Sequence, residues 1–414
     1  MKIAVIGSGI SGLGAAWLLS REHEVTVFEA SDYVGGHTHT HDIDLGGRRY
    51  RVDTGFIVCN PDHYPNFFRM LDELGVETQD TTMSFAVRNE RSGLEYNATD
   101  LNRLFVQRRN LVSPRFWSMV RGILKFYREA PTLLDLQGEG PDLGDYLDAN
   151  GYSAAFRDDH LVPMASALWS SPSQQILKFP AKYLVAFMAN HQMMVTRDRK
   201  PWRVVRDGSN SYVRAMLANA SFTMRTNTPV RSVRRDELGA DLQLDGGSER
   251  FDQIILACHS DQALALLADP SDREREILGA ITFQANDTVL HTDVRLLPKR
   301  RKAWAAWNAL MLDDARNACT VTYDMNQLQG LEAPENFCVT LNCSDRIDPA
   351  KILKRLSYQH PVYTRESVAA QTRRHEISGQ NRTWYAGAYW GWGFHEDGMR
   401  SAVDVARALG IRWA

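Results

Sequence analysis

Short apolar runs and a helical pattern alternate at the start of the chain. Residues 2–6 and 25–28 are apolar runs, and the segment between them has a helical pattern whose apolar positions include Ala16 and Leu19. Runs of this length are typical of strands buried on both faces of a parallel sheet. The pattern therefore predicts a strand–helix–strand unit at the N-terminus.

Later segments continue as a mixture of helices and strands. A basic, aromatic-rich stretch is predicted to be helical over residues 101–134, and the segment 202–257 is predicted to be rich in strands. The other main predictions are a short strand at 53–57, an amphipathic helix at 64–75, an alternating strand at 288–296 and a closing helix at 399–409.

A glycine-rich turn joins the first predicted strand to the helix. Gly7 allows a tight turn, Gly9 lets the backbone approach a pyrophosphate, and Gly12 lets the helix pack close to the strand. Glu29 follows the second strand, where a carboxylate accepts hydrogen bonds from an adenosine ribose and disfavours a 2′-phosphate. The spacing predicts a dinucleotide site for FAD or NAD. A signal peptide or a chance run of glycines does not explain the second strand or Glu29.

The pattern also predicts two interleaved domains. An uninterrupted nucleotide-binding half followed by a separate domain does not account for a glycine turn and helix at the far C-terminus. The predicted nucleotide-binding domain comprises residues 1–80, 200–280 and 365–414, and the predicted substrate-binding domain comprises residues 81–199 and 281–364, with 101–192 helical.

Composition narrows the class of protein. The chain has 414 residues and a formal net charge of −2, which gives no reason to expect a nucleic-acid partner. Its five cysteines form no CxxC pair, which favours free thiols in a reducing compartment, and we expect a cytoplasmic protein. No apolar run is long enough to span a bilayer, so any membrane contact is expected to be peripheral.

Four separated motifs resemble those of a known family. They are the glycine turn with Glu29, the doublet Gly35-Gly36, the pair Asp53 and Gly55, and Ala386-Gly387 followed by Asp397-Gly398-Met399. Together they resemble the flavin-containing amine oxidase superfamily, which includes protoporphyrinogen oxidases and phytoene-type desaturases. Segments such as Asn190-His191 and His360-Pro361 are similar to predicted FAD-binding proteins encoded beside cyclopropane fatty acid synthases.

The resemblance implies a fold and a cofactor. The fold is α/β, with a Rossmann-type FAD-binding domain interleaved with a mixed α+β substrate domain. The cofactor is non-covalent FAD, because the cysteine nearest upstream of the C-terminal motif is Cys343. The implied cofactor-binding residues are Gly7, Gly9, Ser11, Gly12, Glu29, Gly35, Gly36, His37, Gly55, Val230, Gly387, Asp397, Gly398 and Met399.

Particular roles follow from the same resemblance. Ser11 and Gly12 would contact the pyrophosphate, and Val230 would meet the adenine through its backbone. Gly55 would pass near the isoalloxazine ring. The backbone N–H of Met399, at a helix N-terminus, would face the flavin O2 edge, where a helix dipole stabilises the charge of reduced flavin.

The chain departs from the family pattern at three positions. His37 stands where an arginine usually follows the glycine doublet, so any positive charge there depends on pH. Ala388 stands where an acid commonly follows the alanine-glycine pair. Residues 286–288 contain no lysine, although amine oxidases of this type often carry one there.

Several side chains are candidates for chemistry. His291 and Asp293 share one face of a predicted strand and are candidates to flank the flavin as base or orienter; the alternative is an ordinary strand histidine. Trp390, Trp392 and Phe394 are candidates to wall the substrate pocket, and the alternative is core packing.

Two further patterns favour structural interpretations. His37, His39 and His41 alternate as if on one strand face, but the glycines before them favour a flavin-contacting loop, and no metal is predicted. The basic, aromatic-rich helices at 101–134 are interpreted first as a solvated surface and second as a membrane contact.

One dinucleotide turn with no second one for NAD(P)H predicts that electrons enter from the substrate and leave to oxygen or another acceptor. We therefore expect an FAD-dependent oxidoreductase that takes a hydride from an apolar small-molecule or lipid substrate. An amine oxidase and a non-redox flavin mutase or structural flavoprotein are the alternatives. The lipid part rests on the family resemblance.

Overall fold

The computed structural model describes residues 1–138, 140–169, 173–191, 193–194, 201–313 and 319–413. The predicted domain boundary at residues 199 and 200 and the end of the predicted helical region at residue 192 lie outside these ranges. No helix within them combines the length and the apolar character that crossing a bilayer requires.

Strands in these ranges are numbered in chain order. They are β1 (Lys2–Ile6), β2 (Glu24–Phe28), β3 (Thr40–Leu45), β4 (Arg48–Asp53), β5 (Val58–Cys59), β6 (Thr78–Thr81), β7 (Phe85–Asn89), β8 (Leu94–Asn97), β9 (Trp202–Val205), β10 (Thr223–Arg225), β11 (Ser232–Arg235), β12 (Ala240–Leu244), β13 (Gly247–Phe251), β14 (Gln253–Leu256), β15 (Phe283–His291), β16 (Trp307–Met311), β17 (Cys319–Asp324), β18 (Cys338–Leu341), β19 (Ile352–Pro361) and β20 (Thr383–Tyr385).

Helices in the same ranges are numbered in the same way. They are α1 (Ile10–Leu19), α2 (Pro65–Leu74), α3 (Leu101–Leu104), α4 (Pro114–Glu129), α5 (Leu143–Ala149), α6 (Ala154–Phe156), α7 (Val162–Trp169), α8 (Ser173–Leu177), α9 (Ala181–Asn190), α10 (Asn210–Ala218), α11 (Ser260–Leu266), α12 (Asp272–Gly279), α13 (Met325–Gln329), α14 (Arg365–Thr372) and α15 (His395–Ala408). Short 3-10 turns and one π turn, at Arg157–Leu161, connect several of them.

A five-stranded parallel sheet with the order β10-β2-β1-β14-β20 forms the nucleotide-binding part of the fold. Alternate side chains of β1 enter different cores: Ile3 and Val5 pack with α1 and α15, whereas Ala4 and Ile6 pack with α11 and α12. The sheet is therefore covered by helices on both faces, and the predicted Rossmann-type architecture is confirmed.

A seven-stranded mixed sheet with the order β19-β15-β18-β17-β16-β7-β8 forms the second part. Its neighbours pair antiparallel except β7 and β16, which are parallel. Helices from the 101–191 region cover this sheet, with Phe105, Phe116 and Met119 packing on β7 and β8. Strands of the two sheets come from alternating stretches of the chain, and the division into two domains stays a prediction.

Three segments differ from the predicted elements. Asp53 ends β4, and the residues that follow belong to no strand until Val58, because the chain turns there toward the main cavity. The strand predicted at 288–296 runs instead from Phe283 to His291 and ends in a 3-10 turn. The ten-residue β19 was not predicted, because its polar and basic sequence shows no apolar alternation.

Candidate active site

A cavity of about 860 Å³ lies where the parallel strands end. The residues that follow β1, β2, β14 and β20 all line it, as expected for a ligand site at the carboxyl edge of an open α/β sheet. Among the predicted cofactor-binding residues, those that line it are Gly7, Gly9, Ser11, Glu29, Gly35, Gly36, His37, Gly55, Val230 and Gly387. The structure thus brings together residues spread over more than 380 positions.

The glycine turn is shaped by two close approaches and one open space. Gly7 has φ of +106°, and a Cβ there would lie 2.8 Å from the carbonyl oxygen of Ala257. A Cβ at Gly12 would overlap the carbonyl oxygen of Gly7, because α1 packs directly against the turn. A Cβ at Gly9 would meet no atom within 4 Å. Gly9 therefore leaves a cradle at the N-terminus of α1, where unpaired N–H groups favour a pyrophosphate.

Glu29 lies at the end of β2 and contacts the turn through Ser8. Its carboxylate accepts hydrogen bonds from the backbone nitrogen of Ser8 at 3.0 Å and from the Ser8 hydroxyl at 2.6 Å. Ser31 donates its backbone N–H to the other carboxylate oxygen at 2.9 Å. Val230 also lines the cavity, two residues after Thr228, which donates its backbone N–H to the carbonyl oxygen of Glu29 at 2.9 Å. The arrangement fits an adenosine ribose beside Glu29, and Ser8 is a residue that the sequence pattern did not single out.

His37 faces the cavity between the glycine doublet and Gly55. Gly35 and Gly36 have φ of +131° and +59°, and Phe56 donates its backbone N–H to the carbonyl oxygen of His37 at 2.7 Å. A Cβ at Gly55 would overlap that same carbonyl group. The glycines therefore let the segments around residues 36 and 55 pass side by side along the cavity wall.

Three histidines meet beside this segment. The ring centroid of His37 lies 5.4 Å from that of His360 and 6.5 Å from that of His259. Burial lowers the pKa of His37 to about 3, and His360 and His259 act in the same direction. Burial likewise lowers the pKa of His360 to about 4. Nε2 of His37 is buried without a hydrogen-bond partner among the described residues, which fits a ligand atom beside it.

The C-terminal helix begins four residues earlier than the sequence predicts. α15 starts at His395, so the N–H of Met399 lies inside the helix, and a Cβ at Gly14 would touch the Met399 sulfur at 2.7 Å. The predicted role of the Met399 N–H at a helix N-terminus is therefore wrong. Phe394 and His395 line the cavity in its place.

Two further residues of this motif have structural roles. The Asp397 carboxylate is buried, accepts a hydrogen bond from the backbone nitrogen of Phe394 at 3.0 Å and pairs with Arg400. A Cβ at Gly398 would lie 2.7 Å from Cγ2 of Ile10, so Gly398 allows α15 to cross α1 closely. Neither lines the cavity, which corrects their placement among the cofactor contacts. Gly12 is outside the lining for the same kind of packing reason.

Gly387 is held in the cavity wall by a residue that the sequence did not reveal. Its backbone nitrogen donates to the hydroxyl of Ser401 at 2.9 Å, and Ser401 in turn donates to the carbonyl oxygen of Gly398. A serine inside a helix gives no signal of such a contact in the sequence. Ala388, which stands where an acid was expected, also lines the cavity.

Aromatic and aliphatic side chains form the other part of the cavity. Its lining residues come from α7, the seven-stranded sheet and the C-terminal segment: Leu168, Trp169, Thr288, Trp307, Tyr323, Leu341, Tyr363 and Trp392. Among all described lining residues, Glu29 and Arg231 are the only Asp, Glu, Lys or Arg side chains, and both lie on the side of the glycine turn, where the segment before Arg231 contacts Glu29. The cavity therefore has a polar, glycine-rich part and an apolar part.

His291 and Asp293 do not take part in this cavity. His291 is fully buried in the seven-stranded sheet, where its Nε2 is 2.8 Å from the Thr340 hydroxyl and its Nδ1 accepts from the backbone nitrogen of Asp293. Asp293 begins a 3-10 turn and pairs with Arg295 at 2.6 Å, which holds the pKa of its carboxyl well below the usual range. Their assignment as base or orienter at the flavin is therefore wrong.

The two candidate tryptophans separate in the structure. Trp392 lines the apolar part, whereas Trp390 packs on Tyr389 outside the lining. β3 begins at Thr40, so His37 and His39 both precede the strand; the ring of His39 stacks on Tyr33 at 4.2 Å and lies 4.0 Å from the ring of His41. Only His41 of these three lies within β3, so His37, His39 and His41 do not share one strand face.

Comparison with known proteins identifies the family. The model of the flavin containing amine oxidoreductase family matches residues 10–301, which is more than half of the chain. The chain belongs to this family. The dinucleotide turn and Glu29 identify the flavin as FAD, and the Gly9 cradle and the orphaned His37 nitrogen fit that cofactor.

Individual relatives cover the chain to different extents. The 1-hydroxycarotenoid 3,4-desaturase of Flavobacterium sp. (strain P99-3) is 36% identical over 96 residues, 23% of this chain and 18% of that protein. The chain thus spans less than a fifth of the length of the curated relatives it matches.

Among solved structures, the CLA-producing fatty acid isomerase from P. acnes aligns with a TM-score of 0.72 at 18% identity, over 99% of this chain and 98% of that one. Putrescine oxidase bound to putrescine aligns with a TM-score of 0.70 at 16% identity over both full chains. At these identities the two structures show a shared fold.

Proposed function

We propose that this protein is a flavin-dependent oxidoreductase that takes a hydride from a hydrocarbon segment of a lipid. The observation that carries the proposal is the apolar part of the cavity, whose described lining holds no Asp, Glu, Lys or Arg side chain. A cationic amine there would have no carboxylate to pair with, and burying an unpaired charge is costly. An uncharged hydrocarbon meets no such penalty.

The absence of charged side chains from the described lining of the apolar part also indicates which part of a lipid enters the cavity. A free fatty acid taken in whole would leave its carboxylate without a cationic partner among the described lining residues. The proposed substrate therefore keeps its polar group outside the apolar part. The desaturase and fatty acid isomerase named above, which by their names act on long hydrocarbon substrates, support this class of substrate.

The residues of the chain bind and orient rather than react. When bound, FAD would supply the hydride acceptor for a substrate carbon; the second hydrogen would leave the substrate as a proton, and an external acceptor would take up the two electrons. Trp392, Trp307 and Tyr323 supply apolar surface that positions the hydrocarbon and excludes water. Gly9, Glu29 and Gly36 hold the cofactor in the other part of the same cavity, so that the two ligands meet within one enclosed space.

Anaerobic mixing tests the proposal. The FAD-loaded protein is mixed with a monounsaturated phospholipid or with putrescine while the visible flavin absorbance is followed, and products are identified by mass spectrometry. Loss of absorbance with the lipid, together with a product lacking two hydrogen atoms, is the expected result. Reduction by putrescine alone would establish an amine oxidase instead.

Redox-neutral isomerisation is a second candidate, favoured by the alignment with a fatty acid isomerase over almost the whole chain. In that reaction the hydride that leaves the substrate returns to another of its carbons, so the flavin is not reduced at the end of a turnover. A rearranged lipid of unchanged mass without lasting loss of flavin absorbance would identify it.

A further inference from the structure

The exposed large apolar side chains of this chain are concentrated in one segment. Of the nine in the described residues, seven lie between residues 101 and 136, and the other two are Met1 and Leu238. Leu101 and Val112 are 75% and 84% exposed. Single exposed apolar residues are ordinary, but a cluster of them marks an interaction surface. We call the outer surface of residues 101–136 the docking surface.

Helix α4 supplies an ordered part of the docking surface. Phe116, Met119 and Phe126 on its inner face are buried in the cores beneath. On the opposite face, Trp117, Arg121, Leu124 and Arg128 follow a spacing of four, three and four residues, which places them in one stripe. The stripe is exposed, with Trp117 at 38% and Leu124 at 55%, so apolar and basic side chains alternate toward solvent.

Neighbouring turns extend the stripe at the N-terminal end of α4. The indole Nε1 of Trp117 donates to the carbonyl oxygen of Leu111 at 2.9 Å, and its ring lies 5.4 Å from that of Phe105. Leu111 and Val112 are thereby held beside Trp117. The surface is thus formed by packed elements, and a flat partner would need no rearrangement to meet it.

The docking surface is strongly basic although the whole chain is not. Residues 101–136 contain seven Arg or Lys and two Asp or Glu, a net charge of +5 in a chain with a formal net charge of −2. Some of these charges are paired, as in Arg115 with Asp159 at 2.8 Å and Arg128 with Glu129 at 2.8 Å. Arg121 makes no ion pair with the described residues and lies between Trp117 and Leu124 on the stripe.

We propose that the docking surface binds an anionic lipid bilayer, with Trp117 and Leu124 entering the headgroup region and Arg121 meeting lipid phosphates. Interleaved aromatic, aliphatic and basic side chains are the composition of helices that lie in a membrane interface. A second copy of the chain would bring two such basic surfaces face to face across a two-fold axis. Nucleic acid would offer no partner to Leu101, Val112 and Leu124, because its interfaces are polar.

Membrane docking goes beyond the proposed reaction and can be tested without turnover. The FAD-loaded protein is floated with vesicles of phosphatidylcholine alone and with vesicles of equal parts phosphatidylcholine and phosphatidylglycerol. The test variant is Arg121→Glu/Leu124→Ser. The matched control is Arg234→Glu/Leu238→Ser. It makes the same two changes at exposed positions, because Arg234 lies in β11 and Leu238, which is 80% exposed, follows that strand. Circular dichroism and flavin absorbance verify that both variants are folded and loaded.

We expect the wild type and the control to float with anionic vesicles. We expect the test variant to bind these vesicles about tenfold or more weakly. The size follows from reversing one charge near the surface, where each unit contributes roughly fivefold, and from removing one apolar side chain. Three results would overturn the proposal: no flotation of the wild type, equal flotation of wild type and test variant, or a dimer in solution that the test variant disperses. The last result would assign the surface to a second copy of the chain.

Discussion

The two parts of the cavity are built in different ways. In the polar part, backbone groups and glycines within a few residues of strand ends create the shape, as at Gly7, Gly9 and Gly36. In the apolar part, side chains from distant elements such as α7, β16 and β17 converge, and Trp169, Trp307 and Tyr323 each come from a different one. The polar part therefore depends on local chain geometry, whereas the apolar part depends on how whole elements pack.

The difference also explains why family membership specifies the cofactor but not the substrate. The glycine turn fixes a phosphate cradle wherever the strand–helix unit forms, because it needs only short-range contacts. The apolar part can change its shape when any of several helices or strands shifts or exchanges a side chain. Predictions that separate the two parts test this view most directly.

The largest effect is expected from the two glycines of the turn. Gly9→Ala adds a methyl group to the open cradle, so we expect an apoprotein that folds normally but binds FAD at least about a hundredfold more weakly. Gly12→Ala places its methyl group on the carbonyl of Gly7, and should destabilise the fold itself by about 2 kcal/mol or more. Thermal unfolding of the apoproteins and fluorescence titration with FAD distinguish the two. Unchanged FAD affinity in Gly9→Ala would show that the pyrophosphate does not cross this cradle.

A smaller and more selective effect is expected in the apolar part. Trp392→Ala removes aromatic surface from the cavity, so the affinity for an apolar ligand should fall about thirtyfold, equivalent to about 2 kcal/mol, while the FAD content stays unchanged. Trp390→Ala is the matched control, because Trp390 lies outside the lining. Ligand-induced changes in the flavin spectrum measure both affinities. Equal losses in the two variants would contradict the assignment of Trp392 to the substrate wall.

A third prediction concerns how the free energy of unfolding depends on pH through the histidines of the polar part. The pKa values of His37 and His360, about 3 and about 4 in the fold, lie below the ordinary value of 6.5. The unfolded chain therefore binds more protons below pH 6.5, and stability is lost as pH falls from 6.5 toward 4, by at most about 1.4 kcal/mol per pH unit for each group. Burial raises the pKa of Asp53 to about 6, which acts in the opposite direction over the same range.

Denaturant unfolding of the apoprotein at several pH values measures this slope. His360→Gln keeps an acceptor for the Asn286 side chain, which now donates to His360 Nδ1 at 2.8 Å, and should make the slope shallower by one titrating group. The control variant is His375→Gln, which makes the same substitution at an exposed position. A slope unaffected by either substitution would show that His360 is not held neutral by the fold.

The smallest effect on activity is expected at His291. His291→Ala removes a buried side chain and the hydrogen bonds to Thr340 and to the Asp293 backbone, so unfolding should become easier by about 2 to 3 kcal/mol. Turnover per FAD should stay within about twofold of the wild type, because His291 lies outside the cavity. Stopped-flow flavin reduction and thermal unfolding measure the two quantities. Lost reduction with an unchanged fold would restore a catalytic role.

Local patterns predicted most of the polar part correctly. The strand, turn and helix of residues 2–19 and the position of Glu29 follow from spacing alone, because each contact joins residues close in sequence or at neighbouring strand ends. β19 escaped prediction because its polar sequence becomes a strand only by pairing with β15 along nine residues.

The C-terminal motif shows where local sequence patterns stop predicting the fold and tertiary packing decides it. Gly398 disfavours a helix interior, so the sequence placed the helix start after it; in the fold, the close crossing of α1 and α15 requires a residue without a side chain at that point. His291 and Asp293 likewise share a strand and a chemistry-bearing pattern, yet pairing within the seven-stranded sheet turned them into buried structural partners.

The sequence by itself determined the dinucleotide turn, the acid that follows it and the family to which the chain belongs, because short-range geometry specifies them. Only the tertiary structure decided which side chains line the apolar part, since it is assembled from elements more than a hundred residues apart. It also decided that the basic helices expose Trp117 and Leu124 to solvent, because a helical pattern identifies an apolar position but not the surface it faces.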